Sequence, residues 1–344
     1  MLDMPNWKDV KFALFGHGYH ICRFSKLLIA QGFQKPVIIT HPRAEHERDI
    51  RLLGKESTYQ NIFDVADKLE LELLEAKSVN TKEVSDYLIK HHCNAGFSFS
   101  CRSIIKSEII SILSGKIFNI HPSMLPKERG GGTFSWRIMR GINEAAGTLH
   151  VLTEGIDEGP IIYQKRKNMV NKRPIPADML YETFQLFDEL LDTFVDDLKK
   201  NAGLNITPQN EEAGTYLPRL HTETNGAIDW TWSGDEIDRF IRAFSRPYPG
   251  AFTYVGSNII HIIEATYEKS DSMHPYMSGR IVNASINGDI TVYVRDGILN
   301  IHKIRIDDDE VKPAQYISLL NVLHTPPDII AKSRSVVVKV SQMK

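Results

Sequence analysis

Short apolar runs, each ending in a turn and followed by a helix-spaced stretch, recur through the first 120 residues. This alternation is what most limits how the chain can fold. Val10–Phe15 is apolar apart from Lys11 and stops at Gly16, and GHGYHICRFSKLLIAQG then carries helical spacing. Pro36–Thr40 is a second strand, and the polar, mixed-charge stretch His41–Ser57 reads as loop with some helix. Asn61–Leu71 has helical spacing, Leu73–Leu74 a short strand signal, and Thr81–His92 is an amphipathic helix with Thr81 as its cap. Asn94–Ser100 (NAGFSFS) reads as a strand, Ser103–Leu113 as a helix and Gly115–Ile120 as a further strand. Strands alternating with helices predict an α/β fold with a mostly parallel sheet. Ligands of such sheets sit beyond the carboxyl ends of the strands. Gly16 and Gly18 invite a dinucleotide reading, but Ile21 stands where the last glycine of that fingerprint belongs, and no well-placed acid follows the second strand. The glycines therefore read as a tight strand-to-helix turn.

Farther on, Thr133–Gly141 reads as a helix, Thr148–Leu152 and Pro160–Lys165 as strands flanking the turn EGIDEG, and Met179–Asn201 as a long amphipathic helix. A polar linker, Gly203–Gly214, follows. From Ile228 the texture changes to short strands separated by Gly, Asn and Asp, which predicts a small all-β barrel. The expected organisation is a first domain over 1–205, a β domain over 206–306 and an extension over 307–344 that opens acidic and ends SRSVVVKVSQMK.

A chain of 344 residues with 42% hydrophobic and 24% charged residues has room for two such domains. Its formal net charge of -2 gives no long-range attraction for nucleic acid, so none is expected as a partner. The three cysteines, Cys22, Cys93 and Cys101, form no C-x-x-C pair, which suits a reducing cytosol and predicts no structural metal. The opening MLDMPNWKDV lacks a signal-peptide pattern and no apolar run nears 18 residues. A cytoplasmic protein without membrane association is the expectation.

Chemistry concentrates in FNIHPSMLPKERGG, Phe118–Gly131, and in EGIDEG, Glu154–Gly159. They bring an amide, an imidazole and a carboxylate, Asn119, His121 and Asp157, to the ends of neighbouring segments. Asn119 and His121 are two apart and share one side of an extended strand. Acyl or formyl transfer to an amine passes through an oxyanion that an Asn amide can stabilise. A His can move the amine's proton, and an Asp can orient and charge that His. Each residue also has a structural alternative. Asn119 can cap the strand end, His121 can be a hydrogen-bonded loop residue, and Asp157 between glycines suits a turn.

FNIHPSMLPKERGG followed by GTLHVLTEGIDEGPII resembles the N10-formyltetrahydrofolate-dependent formyltransferases. The family's Asn-x-His-x-Ser-x-Leu-Pro motif is met by Asn119, His121, Ser123, Leu125 and Pro126, and the glycine-flanked Asp by Asp157. The likeness extends through FSFSCRSI, IDWTW and RPYPGAF, over roughly residues 10 to 305. It implies a Rossmann-like formyltransferase domain followed by a small OB-like β-barrel. It also implies that Asn119 holds the formyl oxygen, His121 shuttles the proton and Asp157 orients His121. The folate, a co-substrate, would lie against largely backbone segments, here Ser100–Ile104 and Gly155–Gly159, with Ser100, Cys101, Ile104, Gly155, Ile156 and Gly159 as its contacts. Cys101 then reads as a small polarizable wall residue rather than a reactive thiol.

The resemblance leaves the acceptor amine open between a nucleotide-linked amino sugar and methionyl-tRNA. Glycinamide ribonucleotide members are shorter and lack the barrel. A tRNA enzyme needs a basic insertion early in the chain, yet HPRAEHERDIRLLGKE is close to charge balance. FSFSCRSI, GGGTFSW and TYLPRLHTETNGAIDW are more similar to the nucleotide-sugar members. For a diphosphate the cations nearest the motifs are Arg102, Lys127, Arg129 and Arg219, with Arg129 alternatively bracing its loop. Tyr216, Trp230 and Tyr248 are aromatic candidates for a base, although Trp230 and Trp232 read rather as domain-interface packing. A homodimer is compatible with the resemblance.

Overall fold

The structure is a computed structural model that describes residues 1–54, 59–271, 274–307 and 309–335. The ends of the His41–Ser57 stretch and of the SRSVVVKVSQMK tail, residues 55–58 and 336–344, lie outside the described residues. Contacts divide the chain into two compact units interleaved in sequence. The first comprises Met1–Gly130, Glu144–Asn168 and Leu180–Tyr216, and the second Gly131–Asn143, Met169–Met179 and Leu217–Lys344.

The first unit is built on seven strands: β1 Phe12–Gly16, β2 Val37–Thr40, β3 Leu73–Glu75, β4 Ala95–Phe99, β5 Ile117–His121, β6 Glu144–Val151 and β7 Ile161–Asn168, in the order β3-β2-β1-β4-β5-β6-β7. β3 to β5 are parallel, whereas β6 and β7 run antiparallel. The expected mostly parallel α/β sheet is therefore present. Its apolar runs are explained by burial on both faces. Phe12 and Leu14 of β1 enter one core with Phe97, Phe118 and Phe194, and Ala13 and Phe15 enter the other with Val84, Leu88 and Ile109. The helix Pro176–Lys199 contributes Leu191, Phe194, Val195 and Leu198 to the first core, one helical stripe.

Local chemistry explains the element boundaries. Gly16 has φ 116, and a Cβ there would sit 1.9 Å from the Phe99 carbonyl oxygen, so only glycine lets β1 and β4 close at this end. Helix α1, Tyr19–Ala30, follows directly, as the tight-turn reading expected. Thr81 does cap the helix Lys82–Lys90, accepting from the Val84 N–H. The helix expected over Ser103–Leu113 covers only Ser107–Ile112. Asn80 is the reason, because its side chain donates to the Ile104 carbonyl (2.7 Å) and accepts from the Lys106 N–H (2.8 Å). Those backbone groups are thus satisfied outside a helix.

The second unit holds a curled antiparallel sheet in the place of the expected OB-like barrel: β8 Ala251–Val255, β9 Asn258–Lys269, β10 Ile281–Ala284, β11 Ile290–Val294, β12 Gly297–Ile306, β13 Asp309–Val311 and β14 Leu323–His324. Their order is β10-β11-β12-β9-β8-β14, with β13 on β12. The bridge Arg280↔Val322 joins the two ends. The segment after residue 306 thus supplies two strands and the joining bridge. Trp230 is buried within this unit and donates its indole N–H to Thr253 (2.9 Å), while Trp232 packs edge-on against Phe240. Both therefore pack inside the unit.

Candidate active site

β5 lies where the sheet switches from parallel to antiparallel. Its parallel neighbour β4 sets Ser98 beside Asn119, and its antiparallel neighbour β6 sets His150 beside Asn119 and Thr148 beside His121. The motif residues thus stand at the carboxyl end of the last parallel strand. Beyond them the chain turns back under local bonds. Thr148 Oγ1 donates to the Ser123 carbonyl (2.6 Å), and Ser123 Oγ donates to the Lys127 carbonyl (2.8 Å). Gln164 Nε2 donates to the Leu125 carbonyl (2.8 Å). Asp157 sits in the β6–β7 turn with φ 55, a left-handed conformation that Asp tolerates. Gly159 is required in this turn, since a Cβ there would lie 1.7 Å from the Val151 carbonyl oxygen.

The three residues singled out in the sequence meet. His121 Nδ1 is 3.3 Å from Asp157 Oδ2, and Asn119 Nδ2 donates to Asp157 Oδ1 (3.2 Å). The Gly130 N–H also donates to Asp157 Oδ2 (2.9 Å). On its other side His121 Nε2 meets the Glu128 carbonyl oxygen at 2.7 Å, so the buried ring has an acceptor at each nitrogen. A fourth member was not singled out in the sequence. His150 Nδ1 faces the Val151 carbonyl (2.9 Å), which places its proton there, and Nε2 accepts from Asn119 Nδ2 (3.2 Å). His150 precedes EGIDEG by only a few residues, but its role depends on the β5–β6 register, which spacing does not reveal.

Both hydrogens of the Asn119 amide are therefore engaged, and its Oδ1 carries no bond among the described residues. Electrostatics follow from burial and contact. Burial pushes the Asp157 carboxyl up, yet His121 and the Gly130 N–H outweigh it and hold the acid well below the usual carboxylate range. Burial also pushes the His121 imidazole down, and Asp157 and the Glu128 carbonyl oppose this without reversing it. A proton arriving on that imidazole meets a carboxylate and a carbonyl already in place.

Among the segments expected at the folate, Ser100 turns with φ 53 and is exposed, and the apolar side chains of Ile104 (44%) and Ile156 (41%) face solvent. Burial raises the Cys101 thiol to about 11, so it is a neutral thiol. A Cβ at Gly155 would meet the Glu158 carboxylate at 1.8 Å, so a side chain there would require Glu158 to move. The acceptor candidates divide. Arg102 is bonded to Asp49 (2.6 Å) and lies 3.7 Å from Glu45. Lys127 is exposed, and Arg219 is exposed in the second unit. Arg129 is buried, and its five N–H groups are taken up by Gln209, Glu211 and Tyr216. The Tyr216 ring is exposed while its hydroxyl donates to Glu158.

Fold and site define a group-transfer enzyme with an α/β unit and a β-sheet unit. Residues 29–176 match the formyl transferase family model, and residues 221–319 match the formyl transferase C-terminal domain. The chain belongs to the formyl transferase family. Solved structures share its fold. An N-formyltransferase from Helicobacter canadensis, in complex with folinic acid and dTDP-3-aminofucose, aligns with TM-score 0.62 at 19% identity over 85% of this chain and 98% of that one. WlaRD, a sugar 3N-formyl transferase in the presence of dTDP and 5-N-formyl-THF, gives 0.60 at 19% over 85% and 96%. HypX from Aquifex aeolicus, in complex with tetrahydrofolic acid, gives 0.57 at 15% over 89% of this chain and 46% of that longer one. Among the described residues no group of acidic, His or Cys side chains is arranged to hold a metal ion, and no helix is long and apolar enough to cross a membrane.

Proposed function

We propose that this enzyme moves the formyl group of N10-formyltetrahydrofolate to the amine of a nucleotide-linked amino sugar, a dTDP-amino-dideoxyhexose of the kind built into surface polysaccharide such as O-antigen, in the cytoplasm. The observation that carries the reaction is the buried Asn119–His121–Asp157 cluster, in which an anionic acid stands against an imidazole flanked by acceptors. The observation that favours the sugar is charge: a net of -2 leaves no surplus for a polyanion such as tRNA, whereas one diphosphate needs only a few cations. Two structures of the same fold hold dTDP or a dTDP-sugar.

The folate suits the exposed apolar Ile104 and Ile156, which a flat heterocycle would cover. When bound, it supplies the formyl carbonyl that the amine attacks. His121 takes the proton shed by the attacking amine, and Asp157 holds the resulting imidazolium. His121 then returns that proton to the departing nitrogen, so no net proton is consumed. Asn119 offers Oδ1 to an amine N–H. It can donate to an oxyanion only by exchanging one of its present bonds to His150 or Asp157.

The test is incubation with the formylated folate and a panel of nucleotide-linked amino sugars, read by mass. Gain of one formyl group on a dTDP-linked member is the expected result. Formylation of methionyl-tRNA alone would overturn the choice of acceptor.

A further inference from the structure

The segment 207–216, most of which falls in the polar linker read from sequence over Gly203–Gly214, bonds two loops that hold the candidate catalytic pair. The loop after β5 delivers the Glu128 carbonyl to His121 and the Gly130 N–H to Asp157. Between those residues lies Arg129. Its Nε and Nη2 converge on Gln209 Oε1 (3.1 and 2.7 Å), and its two Nη atoms fork onto Glu211 (2.8 and 2.9 Å). Gln209 works in the other direction too. Its Nε2 donates to the Asp157 carbonyl and to the Gly159 carbonyl, both at 2.7 Å. One amide thus ties the backbone of the Asp157 turn to the guanidinium of the His121 loop. Thr215 reinforces the contact, accepting at its Oγ1 from the Glu128 N–H (2.9 Å).

We propose that Gln209 and Arg129 are positioning residues that set the Asp157–His121 distance, and that the 207–216 segment is a strap on the site rather than a spacer. This rests on the proton role proposed for His121. A bidentate fork and a two-carbonyl amide are directional, so they fix geometry where a flexible charge would not. Misplacing a reacting group by about 1 Å costs on the order of 100-fold in rate.

The test compares wild type, Gln209→Ala, Gln209→Glu and Arg129→Lys. Gln209→Glu still accepts from Arg129 but cannot donate to the two carbonyls, and Arg129→Lys keeps the charge but loses the fork. In the variants kcat is expected to fall about 10- to 100-fold with KM for both substrates within about twofold. The ¹⁵N-monitored titration of the His121 ring is expected to move by about one pH unit as its spacing from Asp157 changes. Should Arg129→Lys fail to fold, the near-isosteric Gln209→Glu carries the test. Unchanged kcat and an unchanged His121 titration, with only a lower Tm, would overturn the proposal. The titration needs no substrate, so a wild type that formylates none of the sugars sinks the acceptor assignment and leaves this test standing.

Discussion

Two histidine–carboxylate clusters stand at the carboxyl end of the first unit's sheet, and they use the same residue types to opposite effect. One is Asn119, His121, His150 and Asp157. The other gathers His17, after β1, with His41 and His46, their ring centroids 5.3, 5.6 and 5.9 Å apart, around Asp49. Asp49 is 3.3 Å from His17 and accepts from Arg102 at 2.6 Å. That guanidinium is permanently charged, so Asp49 keeps a fixed counter-ion whatever the histidines do, and its own pull on the His17 proton does not offset burial. Burial then lowers His17 and His41 to about 4, with the neighbouring imidazoles and Arg102 adding to it. Asp157 has no Lys or Arg partner among the described contacts. Its charge is met by the Asn119 and Gly130 N–H donors and by the His121 imidazole. A carboxylate without a permanent cation leaves its imidazole able to accept a transient proton, and one with a cation does not.

The sharpest way to break this contrast is to remove each acid. Asp157→Ala, like His121→Ala, should lower kcat by about 1000-fold or more, within the range expected for a lost acid–base group. Binding of the nucleotide sugar, followed by calorimetry, should stay nearly intact. Asp49→Asn should leave kcat within about threefold, because no proton of the reaction passes there. Near-normal turnover in Asp157→Ala would sink the assignment.

Inside the first cluster, Asn119→Ala should cost about 100-fold in kcat, the scale of one lost polar contact in a transition state. His150→Ala should cost about 10-fold, since it acts only by holding the Asn119 amide. The double variant should fall no further than Asn119→Ala alone, and additive losses would show that His150 has a separate role. Arg102→Ala tests the second cluster as part of an acceptor site. It should raise acceptor KM about 5- to 10-fold with kcat little changed, by loss of one charge-assisted contact.

What could be read in the sequence follows the range of the forces involved. The parallel strands were legible because burial on both faces leaves continuous apolar runs such as Phe12–Phe15. Asn119, His121 and Asp157 were legible because their order and spacing fit one chemistry and one family motif. His150 was not, because it meets Asn119 through the register of an antiparallel pair. The helix start near Ser103 was misplaced because Asn80, more than twenty residues earlier, supplies the competing bonds. Gln209 was hidden for the same reason: two of its partners are backbone carbonyls, which carry no sequence signal, and the third is the distant Arg129 guanidinium.

The smallest expected effect is on stability, and it separates the clusters by pH. His17 and His41 have folded values near 4 against an ordinary 6.5. Between those limits the unfolded chain binds more protons than the folded one, so stability falls as pH drops from about 6.5 toward 4. His46, the lowered neighbour in this cluster, works in the same direction, and so does His121. Asp157 works lower down. Its folded value is depressed below 3.8, so its contribution is complete above 3.8 and is lost only as pH falls further. Urea midpoints at pH 7, 5.5 and 4.5 should therefore decline in wild type, and His41→Asn should decline less steeply. Asp157→Asn should lower the midpoint throughout this range, and its deficit against wild type should shrink only below about pH 4. A wild-type midpoint that is flat from pH 7 to 4.5 would mean that the His17–His41–His46 cluster is not held neutral by burial, and the contrast between the two acids would lose its electrostatic basis.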